Sequence, residues 1–290
     1  MEIKGKLGGI TIGDNIKTRI MGVINLSPAS FFKGSIKQSK KEIISQLLNM
    51  VESKADFIDI GAISSAPAFL YNQQENLSEH EEIMRLSKFF AIYKEIGPNI
   101  DISVDTQSSK VANYALANGA TIINDISGFK ADKILPRIIS DYDASAIIMS
   151  CKKRPGDVFL VPDILRELEK SINLGNNAGI TPYKIVIDPG LGGWVSERDA
   201  KDDFMIINQL QEFRKLNHCI LVGISRKSFI GKILSVSPEQ ILPPEKRLWG
   251  SLAATTIAVL KGAHIVRTHD VQATREVCII SDYMKKLDEK

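Results

Sequence analysis

The chain has 290 residues, is 44% hydrophobic and 24% charged, and carries a formal net charge of +3. That length suffices for one α/β domain with a substantial core, and no linker is needed to account for residues 1–290. The charge is spread along the chain without a Lys/Arg block or aromatic interleaving of basic residues, which excludes nucleic acid as a partner. Cys151, Cys219 and Cys278 lie far apart with no C-x-x-C spacing, against both a zinc site and a disulfide framework and in keeping with a reducing cytoplasm. Residues 1–6 have no signal-peptide core, and no apolar run reaches membrane-spanning length, so a soluble cytoplasmic protein without a membrane partner is expected.

Residues 1–16 alternate small and β-branched side chains about Gly8-Gly9 and end on Gly13-Asp14-Asn15, the pattern of a β-hairpin covering one end of the main fold. Residues 19–25 read as the first core strand, ended by Ser27-Pro28. A loop then leads to Ser39, an N-cap for a helix with Ile43, Ile44, Leu47, Leu48 and Val51 at helical spacing. The second strand covers 57–61. After a long polar loop, Ser78-Glu-His-Glu81 has the spacing of a capping box. The third strand covers 100–105, with a helix over 108–118 stopped by Gly119. The fourth covers 121–125, with a helix over 130–141. The fifth, 144–149, runs into a basic loop, Cys151-Lys-Lys-Arg154-Pro-Gly156, and a helix from Pro162 with Leu165, Leu168, Ile172 and Leu174 on one face. Strands six to eight fall at 184–188, 219–223 and 263–268, with a helix over 252–260 before the last and a terminal helix over 272–287.

Eight strand-then-helix units imply parallel strands joined by right-handed crossovers, and eight is the number that closes a (β/α)8 TIM barrel, here with the hairpin over its bottom. A doubly wound open sheet is the alternative, but the first βα turn has no G-x-G-x-x-G and no G-x-x-x-x-G-K-[ST] occurs. A barrel opens all its strand ends on one face, so Asn25, Asp59, Asp105, Asn124, Asp188, Lys227, Arg267 and His269 become neighbours. The stretch Val186-Ile-Asp188-Pro-Gly190-Leu-Gly192-Gly-Trp194 is the most telling: a β-branched run delivers a carboxylate to a point where proline and three glycines forbid regular structure. Acids beside amides suit a flat heterocycle with several N–H donors, and a guanidine-like edge, as in a pterin, pairs two-pronged with one carboxylate. Arg267, His269 and Lys227, with Ser225-Arg-Lys-Ser228, can converge on an anion.

Plainer structural roles compete for the same residues. Asp-Pro-Gly is a good turn sequence in its own right, and an acid at a strand end such as Asp59 also serves simply to cap a turn. Alternation leaves open whether Asn124 or Asp125 points inward. His80 and His218 read as surface helix residues, and His264 has the wrong parity to share the direction of Arg267 and His269. No paired His or Cys spacing offers a dedicated metal cage, so any Mg²⁺ is expected to bind through substrate phosphates.

In order along the chain, Met21-Gly-Val-Ile-Asn25-Leu-Ser27-Pro28 with Ser30-Phe31, Asp59-Ile-Gly61 with Ser64-Ser65 and Pro67, Ser103-Val-Asp105-Thr106, Asn124-Asp-Ile, Asp188-Pro-Gly190, Gly223-Ile-Ser225-Arg-Lys-Ser228-Phe-Ile-Gly231 and Arg267-Thr-His269-Asp-Val271 resemble the motifs of the dihydropteroate synthases, in the pterin-binding superfamily. The resemblance implies that Asp105, Asn124 and Asp188 hold a pterin ring, with Asn124 rather than Asp125 inward, Met149 packing on the ring, Gly223 beside it and Lys227 bonding a ring atom or carbonyl. It further implies that Asn25 contributes to a Mg²⁺ and pyrophosphate site with Arg267 and His269, that Ser65 and Ser228 lie near p-aminobenzoate, and that the protein is a homodimer packed through its last helices. The implied reaction displaces pyrophosphate from the methylene of a dihydropterin by an aryl amine.

The chain departs from the family pattern at four places. Ala29 and Lys33 replace loop acids, Ile63 and Ala66 replace a Glu and an Arg, Gly193 and Trp194 replace the Phe and Lys of a G-F-G-K-like turn, and Met149-Ser-Cys-Lys152 replaces Met-His-Met. Three readings are compatible with these departures: a synthase with altered loops, in which Lys33, Lys152, Lys153 or Arg154 compensates; a pterin-dependent methyltransferase, against which Arg267, His269 and the Ser-Arg-Lys-Ser segment count; and a non-catalytic pterin-binding protein.

Overall fold

The computed structural model describes residues 2–27, 39–63, 77–237 and 241–288. A two-residue Gly8-Gly9 turn joins β1 (Lys4–Leu7) to β2 (Ile10–Gly13) in an antiparallel hairpin. Eight parallel strands come next: β3 (Arg19–Asn25), β4 (Phe57–Gly61), β5 (Asp101–Asp105), β6 (Ile122–Asp125), β7 (Ser145–Met149), β8 (Ile185–Asp188), β9 (Cys219–Gly223) and β10 (Ile265–Thr268). Each pairs with its successor, and β10 returns to β3, closing the barrel. The described helices are α1 (Lys40–Glu52), α2 (Glu79–Ile96), α3 (Ser109–Ala117), α4 (Leu135–Asp141), α5 (Val161–Asn177), α6 (Ala200–Asn208), α7 (Ser228–Leu234), α8 (Leu248–Leu260) and α9 (Val271–Asp288). None is long and apolar enough to cross a membrane.

Strand alternation sorts the side chains into two sets. Ile20, Ile24, Ile58, Ile60, Ile102 and Val104 turn outward into the layer beneath the helices, whereas Met21, Phe57, Ile122, Ile147, Val186, Leu221 and Ile265 fill the lower barrel interior. Ile3, Leu7 and Ile12 of the hairpin join that inner cluster, so β1 and β2 plug the end where the strands begin. The turn is pinned there by Gly8 N–H to Ser145 Oγ (3.0 Å) and Gly9 N–H to Asp101 (2.9 Å), groups at the first residues of β7 and β5. Gly8 has φ +54°, and a Cβ on it would fall 2.6 Å from the Asp101 carboxyl carbon. Asp14 locks the hairpin's exit by accepting both forks of Arg214 (2.8 Å each) and Ile3 N–H (2.8 Å), which hold its carboxyl well below the usual range despite partial burial.

Ser39 and Ser78 each cap their helix, with Glu42 and Glu81 completing capping boxes. The helix expected over 130–141 begins instead at Leu135. Asp125 accepts the amides of Ser127 and Phe129, and Asp132 accepts those of Ser109 and Ile134, holding the preceding residues in turns. Pro136, lacking an N–H, fits only the first turn of a helix and so marks its start. His218 is not on a surface helix: it is buried in the bend before β9. His264 does face away from the rim, receiving Ile220 N–H at Nδ1 and meeting Asp14 at Nε2.

Because Leu7 is fully buried in the plug, Leu7→Ala is expected to destabilise the fold by about 2–5 kcal/mol, the usual cost of a core cavity, measured by urea unfolding.

Candidate active site at the C-terminal rim

The strands that bury apolar residues at the bottom end on polar ones at the top. The register sets Asp59 beside Ser103, Asp105 beside Asn124, Met149 beside Asp188, and Arg267 beside Gly223. Inward parity therefore selects Asn25, Asp59, Asp105, Asn124, Met149, Asp188, Gly223 and Arg267 for one rim.

Asp59 has no solvent exposure and is the hub of this rim. One oxygen accepts Ser103 Oγ–H at 2.6 Å. The other accepts Asn124 Nδ2 at 3.2 Å and Arg267 Nε at 2.7 Å. The second prong of Arg267 lies 3.6 Å from Asp105. Burial, and after it the charge of Asp59, pushes the Asp105 carboxyl up to about 7, against the pull of Arg267. Asn124 is the inward member of its pair, while Asp125 closes its own turn.

Across the mouth, Asp188 accepts Gly190 N–H at 2.7 Å. Burial raises its carboxyl, opposed chiefly by the charge of Lys227. Burial in turn pushes the Lys227 ammonium down to about 8. Lys227 reaches this position because Arg226 takes a left-handed φ of +56°. That conformation is costly for a residue with a long side chain, and four contacts hold it: the two-pronged Asp270 pair at 2.8 Å, Ser251 Oγ on its N–H, and Arg247 on its carbonyl. Met149 is buried against the Gly190 turn, and Ser228 is buried as the first residue of α7.

His269 faces Ser225 Oγ at 3.1 Å. Burial and then the surrounding charges of Arg267, Arg226 and Lys227 push its imidazole down to about 3. The expected pair of cations is thus Arg267 with a neutral hydrogen-bonding imidazole. Asn25 ends β3, its side-chain oxygen close to Gly61. Among the described residues no group of three His, Cys, Asp or Glu side chains could cage a metal ion. Ser65, Ala29, Lys33 and Ala66 lie outside the described residues. Ile63 lines a cavity of about 250 Å³ with Glu82, Asp105, Thr106 and Ser108, and burial raises Glu82 to about 7.

Three features escaped the sequence. Arg198, in the polar run Ser196-Glu-Arg-Asp, has a fully buried side chain paired with Asp203 and donates to Gly190 O at 2.8 Å, bracing the Asp188 turn. Nothing in its local pattern marks it. The Arg226–Asp270 pair was signalled only by each residue adjoining a rim candidate. Trp194 stood out as a departure, without its partner being legible.

A barrel whose rim carries buried and partly buried acids, two amides and two cations defines an enzyme class. The family described as "Pterin binding enzyme" matches residues 21–269. Dihydropteroate synthases from Clostridium beijerinckii and Bacillus subtilis are each 34% identical, the first over 96% of this chain and 98% of its own length, the second over 92% and 89%. Among solved structures, a Yersinia pestis dihydropteroate synthase with a sulfonamide drug superposes with a TM-score of 0.84 at 27% identity, covering 99% of this chain and 100% of that one. One from Coxiella burnetii in complex with pteroic acid gives 0.83 at 32%, covering 99% and 100%. The chain belongs to the pterin-binding enzyme family, and within it to the dihydropteroate synthases.

Replacing Asp59 with Ala leaves the partly buried Arg267 with only the more distant Asp105. Urea unfolding is expected to register a loss of about 2–4 kcal/mol, the partial exposure of Arg267 softening the cost of a broken buried pair, and an NMR titration of Asp105 a midpoint below that of the parent, since a neighbouring negative charge has gone.

Proposed function

We propose that this protein condenses a dihydropterin methyl pyrophosphate with p-aminobenzoate or a related aryl amine, releasing pyrophosphate, in the cytoplasmic biosynthesis of folate or a related pterin cofactor. The observation that carries this is the convergence of Asp105, Asn124, Asp188, Lys227 and Arg267 on one rim, in a chain whose relatives are dihydropteroate synthases. The Coxiella protein was solved with pteroic acid and one from Xanthomonas albilineans with 4-aminobenzoic acid, which supports the same two substrate classes here.

Asp105, Asn124 and Asp188 accept and donate along the pterin's nitrogen-rich edge, where each N–H needs a partner once water is excluded. Met149 packs on the ring, and the bare backbone of Gly223 leaves room for Lys227 to reach a ring atom. Arg267 is the fixed charge facing the pyrophosphate, with neutral His269 as a hydrogen-bonding partner. Ser228 faces the amine. The chain's part in the reaction is to hold the two substrates in line and to stabilise the departing anion with charges already oriented by Asp59 and Asp188. The amine nitrogen displaces the pyrophosphate oxygen at the methylene carbon and then gives up a proton. Asn25 offers one neutral oxygen, which fits a Mg²⁺ carried largely by phosphates and waters rather than caged by protein. When bound, that ion would neutralise charge on the leaving pyrophosphate.

We further propose a homodimer through the last two helices. Trp249, Ile257 and Leu260 on α8 and Ile279, Ile280, Tyr283, Met284 and Leu287 on α9 are exposed apolar side chains along one face of each helix, the character of a surface that a second copy would cover.

Two measurements test these readings. With dihydropterin pyrophosphate, Mg²⁺ and p-aminobenzoate, pyrophosphate release is expected, and Asp188→Asn should lower kcat/KM by about a hundredfold or more; release at background for a range of aryl amines, with pterin still bound, would sink the synthase reading in favour of a methyltransferase or a binding protein. In sedimentation at micromolar concentration a dimer is expected, and Ile280→Glu should convert it to monomer.

A further inference from the structure

The Asp188 turn and the Lys227 loop are joined by a contact that the proposed chemistry does not use. Leu191 O accepts the Trp194 indole N–H at 3.0 Å and also accepts the Lys227 ammonium. The same ammonium lies 5.1 Å from the centre of the Trp194 ring, inside cation–π range. The lysine stem reaches this point across Gly192, where a Cβ would stand 3.0 Å from Lys227 Cδ. The indole is itself fixed from behind. Gly156, with φ +77°, lies so close that a Cβ there would fall 1.9 Å from Trp194 Cβ, and Arg154 pairs with Glu197 at 2.9 Å. Asp157 accepts the amides of Lys152, Lys153 and Arg154, which gives that basic loop a set shape.

We infer that Trp194 is a positioning residue for Lys227: the indole face and the Leu191 carbonyl fix where the ammonium stands beside Asp188, and the loop ending at Gly156 fixes the indole. A buried ammonium on a four-carbon stem has many rotamers and a high cost of lost hydration, and an aromatic face with one carbonyl limits the first while offsetting part of the second. The inference deepens the pterin-site reading and rests on it for its functional consequence, but the contact itself exists in the free protein.

The test therefore has two arms. Trp249→Phe leaves Trp194 as the single tryptophan of the chain. The charged groups facing the ammonium are Asp188 from β8, Arg267 from β10, Asp203 from α6 and Arg198 from the intervening loop. Lys227 loses its proton near pH 8 among them, so Trp194 emission in the free protein is expected to change with a midpoint near there, and Lys227→Met in the same background should abolish the change. Identical emission in the parent and Lys227→Met on both sides of the lysine's titration, or a pH-dependent change that persists in Lys227→Met, overturns the contact whatever the substrate. In the second arm, calorimetry with a pterin analogue is expected to show Trp194→Leu and Gly156→Ala each weakening binding by about tenfold, with Trp194→Phe within about threefold; the Trp194 variants melt close to the parent, whereas Gly156→Ala, strained at its positive φ and overpacked against Trp194, melts lower while staying folded at the temperature of the measurement. Gly156→Ala has no atom at the rim, so a matching loss there separates positioning from direct contact. Tight binding by Trp194→Leu overturns the inference. Failure of the parent to bind pterin overturns the ring-site reading instead and leaves the fluorescence arm standing.

Discussion

Asp59 holds a carboxyl group wholly out of solvent at the middle of the barrel, and its three partners come from three other strands: Ser103 from β5, Asn124 from β6 and Arg267 from β10. A buried acid of this kind is tolerated only when its lone pairs are satisfied, so the partners are held as firmly as the acid. The proposed ligand-facing groups inherit that rigidity. Asn124 is oriented by one of its amide hydrogens, and Arg267 by the ion pair that turns its remaining prong toward Asp105. A side chain in water would have to be oriented anew for each substrate molecule.

The polar floor of the site is possible because the barrel is plugged from the other end. Ile3, Leu7 and Ile12 complete an apolar cluster with the lower halves of the strands, so the upper halves are free to carry Asp59, Asp105 and Asp188. Helices outside the barrel supply a separate, larger core around Ile58, Ile102, Ile123 and Ile187. The hydrophobic work of folding is thus done on two surfaces that do not include the rim.

The cationic half of the rim is organised from loops rather than strands. Arg226 is bound to Asp270 and to the carbonyls of Pro244 and Glu245, and Arg247 reaches back to Arg226 O, so that Lys227 turns inward with its ammonium over the mouth. Arg198 braces the opposite turn from below. The two halves therefore present opposite charges that cannot simply collapse together: Asp188 and Lys227 are each costly to bury, each eased by the other, and each tied by backbone hydrogen bonds to the Gly190–Leu191 turn.

Strand periodicity and punctuation settled much of this from the chain alone. The β-branched runs ending on Asn25, Asp105, Asp188 and Gly223, and the Gly8-Gly9 turn, fix eight strands and a hairpin because period-two alternation and glycine backbone freedom are local properties. Position at the strand ends picked out the rim residues, while alternation alone left Asn124 and Asp125 undecided and only the family resemblance favoured Asn124. What the sequence could not decide were properties of distance between elements. That Asp59 is the hub rather than a turn cap depends on β10 closing beside β3. That α4 starts at Leu135 depends on Asp132 reaching Ser109. The meeting of Trp194 with Lys227 and Gly156 arises only when three loops share one rim. Short-range sterics write the elements and their faces into the chain, while electrostatic pairing and burial between residues far apart in sequence exist only once the barrel has closed.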